Sequence, residues 1–493
     1  MCPPNFAELI EEADVSFALT ELLKGAGSKS PRLQVEGVNA DSRAIKPGEA
    51  FFAIPGLHTH GDAFAAQARA NGAKAMITDR APAADPGMPV VVVEDVRSAY
   101  ARAAARQFAP QPEVIVGVTG TNGKSSIVSF VRQIWAACGL KAASVGTVGI
   151  ETKMGLIPGE LTTPDALALH RDLGMLRAQG IDHVAMEASS QGLDQRRVDG
   201  IAFNAVAFTN LSRDHLDYHA DMQAYRDAKV RLFTDLIADG GSAIVNVDDP
   251  HYEPFMFAAL NRGVTLLTIG RDGAWFEIQS IENEGYGQTV HGRLVGEPVQ
   301  FHLPLTGAFQ VYNALVALAL ATSTGAQPSK ALKALGKLKG ARGRLELVGE
   351  HNGAAIFVDY AHKPVALETA LASLRPYASK TLHVVFGAGG DRDKGKRPMM
   401  GEIASRMADK VIVTDDNPRT EDAKVIRAEI MAAAPRAKEI GDRRKAIETA
   451  IKALKAGDVL LIAGKGHEDY QIVGTTKHHF SDHEVVAETL KGL

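Results

Sequence analysis

The sequence predicts an α/β fold divided among three domains. The chain has 493 residues, whereas a typical domain has roughly 150, so the length alone predicts about three domains. Short apolar runs recur along the chain, and each is followed by a turn rich in Gly, Asp or Asn and then by a helix-like stretch. This alternation is typical of mostly parallel sheets that carry helices on their faces.

Charge and cysteine content exclude several classes of protein. Lys and Arg number 54 and Asp and Glu number 58, which leaves a net charge of -4. No overall positive field would attract nucleic acid or anionic lipid, so any anionic ligand must be bound locally. Two cysteines, Cys2 and Cys138, are too few for a disulfide framework and indicate a reducing compartment. The longest apolar run, residues 311–321, is shorter than the roughly 20 residues of a membrane span. We therefore expect a soluble cytoplasmic protein without membrane insertion or a nucleic-acid partner.

The first set of predicted elements occupies residues 1–111. A Pro-x-Pro segment at residues 109–112 favours an extended linker and marks the first domain boundary. The predicted strands of this set are residues 50–54, 75–78 and 90–93, and the predicted helix is residues 63–71.

The second and third sets are separated by a basic, Gly-rich stretch at residues 336–344. We expect the second domain at residues 112–340 and the third at residues 341–493. The second set ends in a helix rich in Ala and Leu that follows Gln310. The predicted strands of both sets are residues 114–118, 182–187, 205–210, 243–248, 355–360, 382–387, 410–414 and 459–463.

A glycine loop follows the strongest strand signal. Ligands of open α/β sheets bind beyond the carboxyl ends of the strands. The sequence TGTNGKSS stands at this position, directly after the strand at residues 114–118. Backbone N–H groups and a helix N-terminus can hold phosphate oxygens, Lys124 can neutralise their charge, and Ser125 can bind Mg²⁺. The strict phosphate-loop template fails, because its first glycine falls on Val118. The alternative is an ordinary turn with a helix-capping serine, but the strand and helix context favours ATP binding.

Further motifs follow in a fixed order. They are DSR, TTPD, MEASS, TNLSRDHLDYH, AYRDAK, DYAHKP, GGDRDKGKRP, DDNPR and GKGHE. Together with the glycine loop, this series resembles the Mur ligases, cytoplasmic enzymes that extend the peptide stem of peptidoglycan precursors.

The resemblance implies a fold and an activity. The expected domains are a UDP-sugar-binding domain, a central domain like a P-loop ATPase that binds ATP and Mg²⁺, and a C-terminal Rossmann-like domain that binds a diaminoacid. The last three motifs are similar to those of members that use ATP to add meso-diaminopimelate to UDP-N-acetylmuramoyl-L-alanyl-D-glutamate. The family activates the D-glutamate γ-carboxylate as an acyl phosphate, which the amine then attacks. We expect a monomer.

The resemblance also implies site residues for ATP and metal. Catalytic roles fall to Lys124, Glu187, His215 and Lys229, with Lys229 carbamylated by CO₂. Mg²⁺ would be held by Ser125, Glu187, His215 and the Lys229 carbamate. Without the resemblance, the sequence favours a surface turn residue at His215 and a helix cap at Asp214. The matching ATP-binding positions are Gly120, Thr121, Asn122, Gly123, Lys124, Ser125, Ser126, Asn313, Arg344, Asp359 and His362.

Two substrate sets are implied in the same way. An arginine fork pairs well with a carboxylate, and a site built around one would reject lysine, which lacks the distal carboxylate of diaminopimelate. The UDP-sugar and dipeptide set is Ser42, Thr162, Thr163, Ser189, Gln195 and Arg197. The diaminopimelate set is Arg392, Asp416, Asn417, Pro418, Arg419, Gly464 and Glu468.

Three alternatives stay open at this point. One is a lysine-adding form of the same ligase, and another is a different Mur or folylpolyglutamate-type ligase. The third is a nucleotide-dependent regulatory protein that uses the glycine loop as a switch, which would leave Glu187, His215 and Lys229 without a role.

Overall fold

The computed structural model describes residues 16–27, 30–56, 58–159 and 161–493, so Cys2 lies outside the described residues. The chain divides into two compact units. The three-domain boundaries drawn from the sequence stay predictions. Within the described ranges, none of the helices has the length and apolarity that a membrane crossing requires. One unit comprises the described residues up to Lys124, those of Trp135–Thr268 and Ala319–Ala326, and the other Ser125–Ile134, Ile269–Leu318 and Gln327–Leu493.

A small sheet opens the first unit. Strands β3 to β6 are all parallel and lie in sequence order. Helix α3 begins at Asp95, whose carboxylate accepts a hydrogen bond from Ser98 N, and its alanine-rich face packs on the sheet. The elements are β1 Phe17–Ala18, α1 Leu19–Leu22, β2 Gln34–Val35, β3 Val38–Asn39, β4 Ala50–Phe52, α2 Ala65–Ala70, β5 Ala75–Thr78, β6 Val90–Val92 and α3 Val96–Gln107.

The largest sheet has eleven strands and a parallel centre. Its order is β10-β9-β8-β11-β7-β12-β13-β14-β15-β16-β17, with β8, β11, β7, β12 and β13 parallel to one another. Strands β15 to β17 form an antiparallel meander that was not predicted from the apolar pattern of the sequence. The elements are β7 Val114–Thr119, α4 Lys124–Ala137, β8 Ala142–Gly146, β9 Gly149–Thr152, β10 Gly155–Pro158, α5 Ala166–Ala178, β11 His183–Glu187, α6 Ser190–Asp194, β12 Phe203–Phe208, α7 Met222–Thr234, β13 Ile237–Asn246, α8 Glu253–Asn261, β14 Thr265–Gly270, β15 Phe276–Glu284, β16 Gly287–Leu294, β17 Glu297–Leu303, α9 Ala308–Ser323 and α10 Pro328–Leu335.

The C-terminal sheet has six strands in the order β18-β19-β23-β20-β21-β22. All neighbours are parallel except the edge strand β18. Alternate residues of one strand enter different cores, since Ile356 packs in one cluster and Phe357 in another, so helices cover both faces. The elements are β18 Glu346–His351, β19 Ala354–Asp359, α11 Pro364–Leu374, β20 Leu382–Phe386, α12 Lys396–Met407, β21 Lys410–Val413, α13 Ala423–Met431, β22 Lys438–Glu439, α14 Arg443–Lys452, β23 Val459–Ala463, β24 Tyr470–Val473, β25 Thr476–His479 and α15 Asp482–Lys491.

Strand register brings the predicted site residues to the strand ends. Glu187 at the end of β11 is the register partner of Val118 in β7. In the other unit, Asp359 at the end of β19 is the partner of Ala463 in β23. The architecture is the α/β class that the sequence predicts, with mostly parallel sheets.

Candidate active site

The glycine loop lies between β7 and α4 and depends on two glycines. Gly120 and Gly123 have φ angles of 144° and 89°, which favour glycine. A Cβ at Gly120 would lie 2.0 Å from Thr209 Oγ1. Val118, where the strict template has glycine, is fully buried inside the strand. The departure from the template therefore falls in the sheet, not in the loop.

Residues after β12 hold this loop in place. The side-chain oxygen of Asn210 accepts from Asn122 N (2.9 Å), and its backbone oxygen accepts from Thr121 N (2.8 Å). The Thr209 hydroxyl donates to the Asn122 carbonyl (2.7 Å). The Thr121 hydroxyl lies 3.1 Å from Tyr225 Oη. These contacts fix the loop before any ligand binds. Ser125 and Ser126 at the start of α4 are buried.

Two lysines meet at one backbone carbonyl. Lys124 Nζ donates to the Gly120 and Thr121 oxygens at 2.9 and 2.8 Å. Lys229, a fully buried residue of α7, also donates to the Gly120 oxygen, at 2.8 Å. Burial, together with the nearby charge of Lys124, holds the pKa of Lys229 well below its usual value, and Asp214 opposes this only in part.

Glu187 ends strand β11 and is almost fully buried. Its two carboxylate oxygens accept from the backbone and hydroxyl of Thr147, at 2.8 and 3.3 Å. A Cβ at Gly146 would lie 2.1 Å from Glu187 Oε1, so only glycine leaves room for the carboxylate there. Because both oxygens have donors, the carboxylate is held at the strand end in one orientation.

His215 lies in the segment between β12 and α7. Its φ angle of 52° is in the left-handed region, and its Nε2 lies 3.6 Å from Asp214 Oδ2. The ring is 6.1 Å from that of Tyr225, the residue that also contacts the glycine loop. The described residues contain no group of three His, Cys, Asp or Glu side chains that could hold a metal ion.

Most of the predicted dipeptide-binding residues lie together. Arg197 donates to the Thr163 carbonyl at 2.8 Å and to Gln195 Oε1 at 2.7 Å. The Thr163 hydroxyl accepts from Ser189 N and donates to the Glu187 carbonyl. The hydroxyl groups of Thr162 and Thr147 are 3.0 Å apart, which links this set to Glu187. Ser42 belongs to the small sheet, where its hydroxyl donates to Gln67 Oε1 at 2.8 Å.

In the second unit, three predicted nucleotide residues surround Tyr360. Arg344 lies over the Tyr360 ring at 5.0 Å, and its Nε is buried without a hydrogen-bond partner in the described residues. Burial raises the pKa of Asp359 to about 6, with Arg344 opposing this. Burial lowers the pKa of His362 to about 4, and its Nδ1 donates to the Tyr360 carbonyl. Asn313 is buried in α9 and donates to Gln310.

The loops after β20 and β21 carry the predicted arginines of the diaminopimelate set. Arg419 has a φ angle of 52° and donates to the Gly390 carbonyl at 2.8 Å. Arg392 is exposed and lies on the first of these loops. A Cβ at Gly390 would lie 1.9 Å from the carbonyl oxygen of the buried Pro418. The two loops are therefore packed backbone against backbone.

The loop after β23 completes this set. Asn417 Nδ2 donates to Glu468 Oε2 at 3.0 Å, and the Tyr360 hydroxyl lies 3.5 Å from Glu468 Oε1. A Cβ at Gly464 would lie 2.7 Å from Asp416 Oδ2. The second unit thus brings Asp416, Asn417, Gly464 and Glu468 together beside Tyr360.

Several neighbours of the site were not found from the sequence. Thr147 donates hydrogen bonds to Glu187, and Tyr225 contacts both the glycine loop and Lys229. Lys465 donates a hydrogen bond to Asn417. Tyr225 lies in the motif AYRDAK and Lys465 in the motif GKGHE, so membership of these motifs could have identified both residues. Thr147 lies outside every motif.

Known families match most of the chain. The family model described as "Mur ligase family, catalytic domain" matches residues 34–108. The Mur ligase middle domain matches residues 118–321, and the Mur ligase, glutamate ligase domain, matches residues 343–466.

Individual proteins are similar over the full length. The UDP-N-acetylmuramoyl-L-alanyl-D-glutamate--2,6-diaminopimelate ligase of Mesorhizobium japonicum is 50% identical, with 96% of this chain and 98% of that protein covered. A solved structure of a ligase with the same name has a TM-score of 0.73 at 33% identity and covers 97% of this chain and 99% of its own. The solved structure of the MurF ligase from Thermotoga maritima in complex with ADP has a TM-score of 0.58 at 18% identity. It covers 92% of this chain and 97% of its own, and it shows only that the two folds are similar.

Proposed function

Because the chain belongs to the Mur ligase family, we propose that it uses ATP to join meso-diaminopimelate to the D-glutamate of UDP-N-acetylmuramoyl-L-alanyl-D-glutamate. The observation that carries the choice of amino acid is the hydrogen bond of 3.0 Å from Asn417 to Glu468, because Asn417 stands in the same Asp-Asn-Pro-Arg motif as Arg419. This arrangement offers an arginine for a carboxylate and a glutamate for an ammonium group. The full-length relative at 50% identity bears the name of this reaction.

The proposed reaction has two steps. A γ-carboxylate oxygen of D-glutamate attacks the γ-phosphorus of ATP, which forms an acyl phosphate and releases ADP. The free amine of diaminopimelate then attacks the acyl carbon. The new C–N bond replaces the C–O bond to phosphate, which leaves with the bonding electrons while the nitrogen loses a proton. Two anions approach each other in the first step, so positive charge must be concentrated there.

Lys124 and the loop amides would supply that charge in the first unit. The loop is already fixed by Thr209 and Asn210, so its N–H groups need little reorganisation when phosphate binds. We propose that Arg344, Asp359, His362 and Asn313 bind the rest of the nucleotide. The buried Nε of Arg344 supports this, because it has no hydrogen-bond partner among the described residues and a ligand acceptor would satisfy it.

The proposed metal is Mg²⁺, and the chemistry of the proposed donor atoms supports it. Ser125, Glu187 and a carbamate on Lys229 would offer oxygen atoms, which Mg²⁺ prefers, and His215 would complete the set. Mg²⁺ commonly takes few protein ligands, which agrees with so sparse a set. When bound, it would neutralise phosphate charge. Thr147 holds the Glu187 carboxylate in one orientation for this role.

The dipeptide end of the substrate would bind beside Glu187. We propose that Arg197 pairs with a substrate carboxylate while Gln195 and Thr163 hold its guanidinium, and that Thr162 and Ser189 contribute further hydrogen bonds. Ser42 would contact the UDP part. ATP and these substrates imply a cytoplasmic enzyme, and we propose a monomer, which sedimentation analysis would test.

Acceptor-dependent phosphate release tests the proposal. With ATP and the UDP-linked dipeptide, we expect release to require diaminopimelate and to be far slower with lysine or D-alanyl-D-alanine. Arg419→Ala should lower kcat/KM for diaminopimelate several hundredfold, because it removes the partner of a buried carboxylate. Arg406→Ala, which changes an exposed arginine of α12 paired with Glu368, is the control. Equal kinetics of the wild-type enzyme with lysine and diaminopimelate would refute the assignment.

A further inference from the structure

Lys465 is a buried cation that the proposed reaction does not use. Its side chain is fully buried, and its Nζ donates to Asn417 Oδ1 at 2.9 Å and to the Tyr470 carbonyl at 2.6 Å. The same nitrogen lies 3.5 Å from Asp416 Oδ1 and 3.8 Å from Glu468 Oε2. A buried ammonium is costly unless it is paired. Here three of its partners, Asp416, Asn417 and Glu468, are members of the predicted diaminopimelate set.

Lys465 and the backbone of Ile472 together determine which way the Asn417 amide faces. Asn417 Oδ1 receives two donors, Lys465 Nζ and the backbone N–H of Ile472 at 2.9 Å. Two donors at one atom identify that atom as the oxygen, since an amide NH₂ cannot accept them. The Nδ2 group must then point the other way, where it donates to Glu468 Oε2 at 3.0 Å. The ammonium therefore acts on Glu468 through Asn417 as well as directly.

Lys465 also balances two carboxylates. The titratable groups that face Glu468 are Asp416, Lys465, Arg419, Arg443, Tyr360 and Tyr470. Burial and Asp416 raise the pKa of Glu468, and Lys465 is the strongest of the groups that oppose the rise. Without the ammonium, the pKa of Glu468 would rise further and less of the carboxylate would be ionised near neutral pH.

We propose that Lys465 is a positioning residue that orients Asn417 and ionised Glu468 to receive the amino-acid end of the diaminoacid. This role rests on the proposed function, because it assigns the acceptor to this set. It predicts that Lys465 matters for binding of the diaminoacid and much less for ATP or the UDP-linked dipeptide.

Two substitutions separate the hydrogen bond from the charge. Lys465→Met keeps the length of the side chain but removes both, whereas Lys465→Gln keeps a donor and removes the charge. Lys477→Met is the matched control, because Lys477 is exposed on the neighbouring hairpin and stacks on Tyr470 at 3.8 Å.

We expect Lys465→Met to raise KM for diaminopimelate about 10- to 100-fold, the effect of losing a charged hydrogen bond. The KM for ATP should change little. The acid limb of the pH profile of kcat/KM for diaminopimelate should move to higher pH in both variants, and Lys465→Gln should recover part of the KM. Lys477→Met should resemble the wild type.

Three results would overturn the proposal. They are an unchanged KM and pH profile in the variants, an equal rise in KM for ATP and diaminopimelate, and loss of the folded state in both variants by circular dichroism. A wild-type enzyme that releases no phosphate in response to diaminopimelate would refute the proposed function instead.

Discussion

At the scale of single residues, Lys229 is the most unusual member of the site. Its ammonium would share the Gly120 carbonyl with that of Lys124, and two like charges at one acceptor disfavour each other. A buried lysine with a lowered pKa is more readily neutral, and only a neutral amine attacks CO₂. The geometry therefore supports the carbamylation that the family resemblance implies.

Lys229→Ala tests this directly. We expect the variant to lose most of its activity and to regain part of it when short carboxylates are added, because these can replace the carbamate oxygens. NMR with carbon-13-labelled bicarbonate should give a carbamate signal in the wild type that the variant lacks. Lys330→Ala, an exposed change on α10, should keep both the activity and the signal. No recovery with carboxylates, together with no carbamate signal in the wild type, would contradict the modification.

The candidate site residues and the neighbours that hold them in place differ in how far the sequence predicts them. Lys124, Glu187 and Lys229 stand in motifs at strand ends or on helices, where the chemistry can be inferred from residue type and order. The residues that hold the site in place are distant in sequence from their partners. Thr147, which contacts Glu187, is 40 positions away from it, and Tyr225, which contacts Thr121 of the glycine loop, is 104 positions away. Such partners depend on strand order and register, which one sequence does not specify.

At the scale of elements, most buried parallel strands were predicted, although β8 (Ala142–Gly146) was missed, and antiparallel strands were predicted poorly. Strands β5 and β23 have the predicted bounds, because fully buried strands are continuous apolar runs. The meander Phe276–Glu284, Gly287–Leu294 and Glu297–Leu303 was missed. Its strands carry many exposed polar residues, such as Glu282 to Glu284 in the first of them, so their apolar signal is broken.

The junction of β8 and β11 shows how one glycine sets the position of the Glu187 side chain. We expect Gly146→Ala to displace Glu187, because the new Cβ would lie 2.1 Å from its Oε1. The kcat should fall at least tenfold, and the Mg²⁺ concentration for half-maximal activity should rise. Gly336→Ala is the control, since its nearest contact would be an ordinary 3.5 Å. An unchanged Mg²⁺ titration in Gly146→Ala would argue against a metal-binding role for Glu187.

At the scale of the whole molecule, the net charge of -4 conceals charges that are buried and locally paired. Arg443 and Asp482 are both fully buried and lie 2.7 Å apart, and Arg443 also donates to the Ala463 carbonyl at the end of β23. Asp199 pairs with Arg231 in the first unit. Each such pair satisfies groups that burial would otherwise penalise, so the pairs specify the arrangement of loops more than they add stability.

Buried histidines should make the stability of the molecule depend on pH, and His170 gives the clearest test. Its Nε2 lies 3.0 Å from the Asp199 carbonyl, and Gln111 Nε2 lies 2.9 Å from its Nδ1. Burial lowers the pKa of His170 from 6.5 to about 4, so between these values the unfolded chain binds the proton and the folded chain does not. Stability is therefore lost as the pH falls below 6.5, by about 1.4 kcal/mol for each pH unit.

His170→Gln removes this dependence. The variant should be less stable than the wild type at pH 7, because the hydrogen bonds of the ring are lost, and the difference should shrink as the pH is lowered towards 5. Burial raises the pKa of Asp199 to about 6, and this makes the folded state more stable as the pH falls. The effect is the same in both proteins, so it cancels when their stabilities are compared. Hydrogen exchange of the α5 amides between pH 7 and pH 5 measures the change within the first unit. His251→Gln, an exposed substitution, should stay parallel to the wild type, and a constant difference between His170→Gln and the wild type would contradict the assignment.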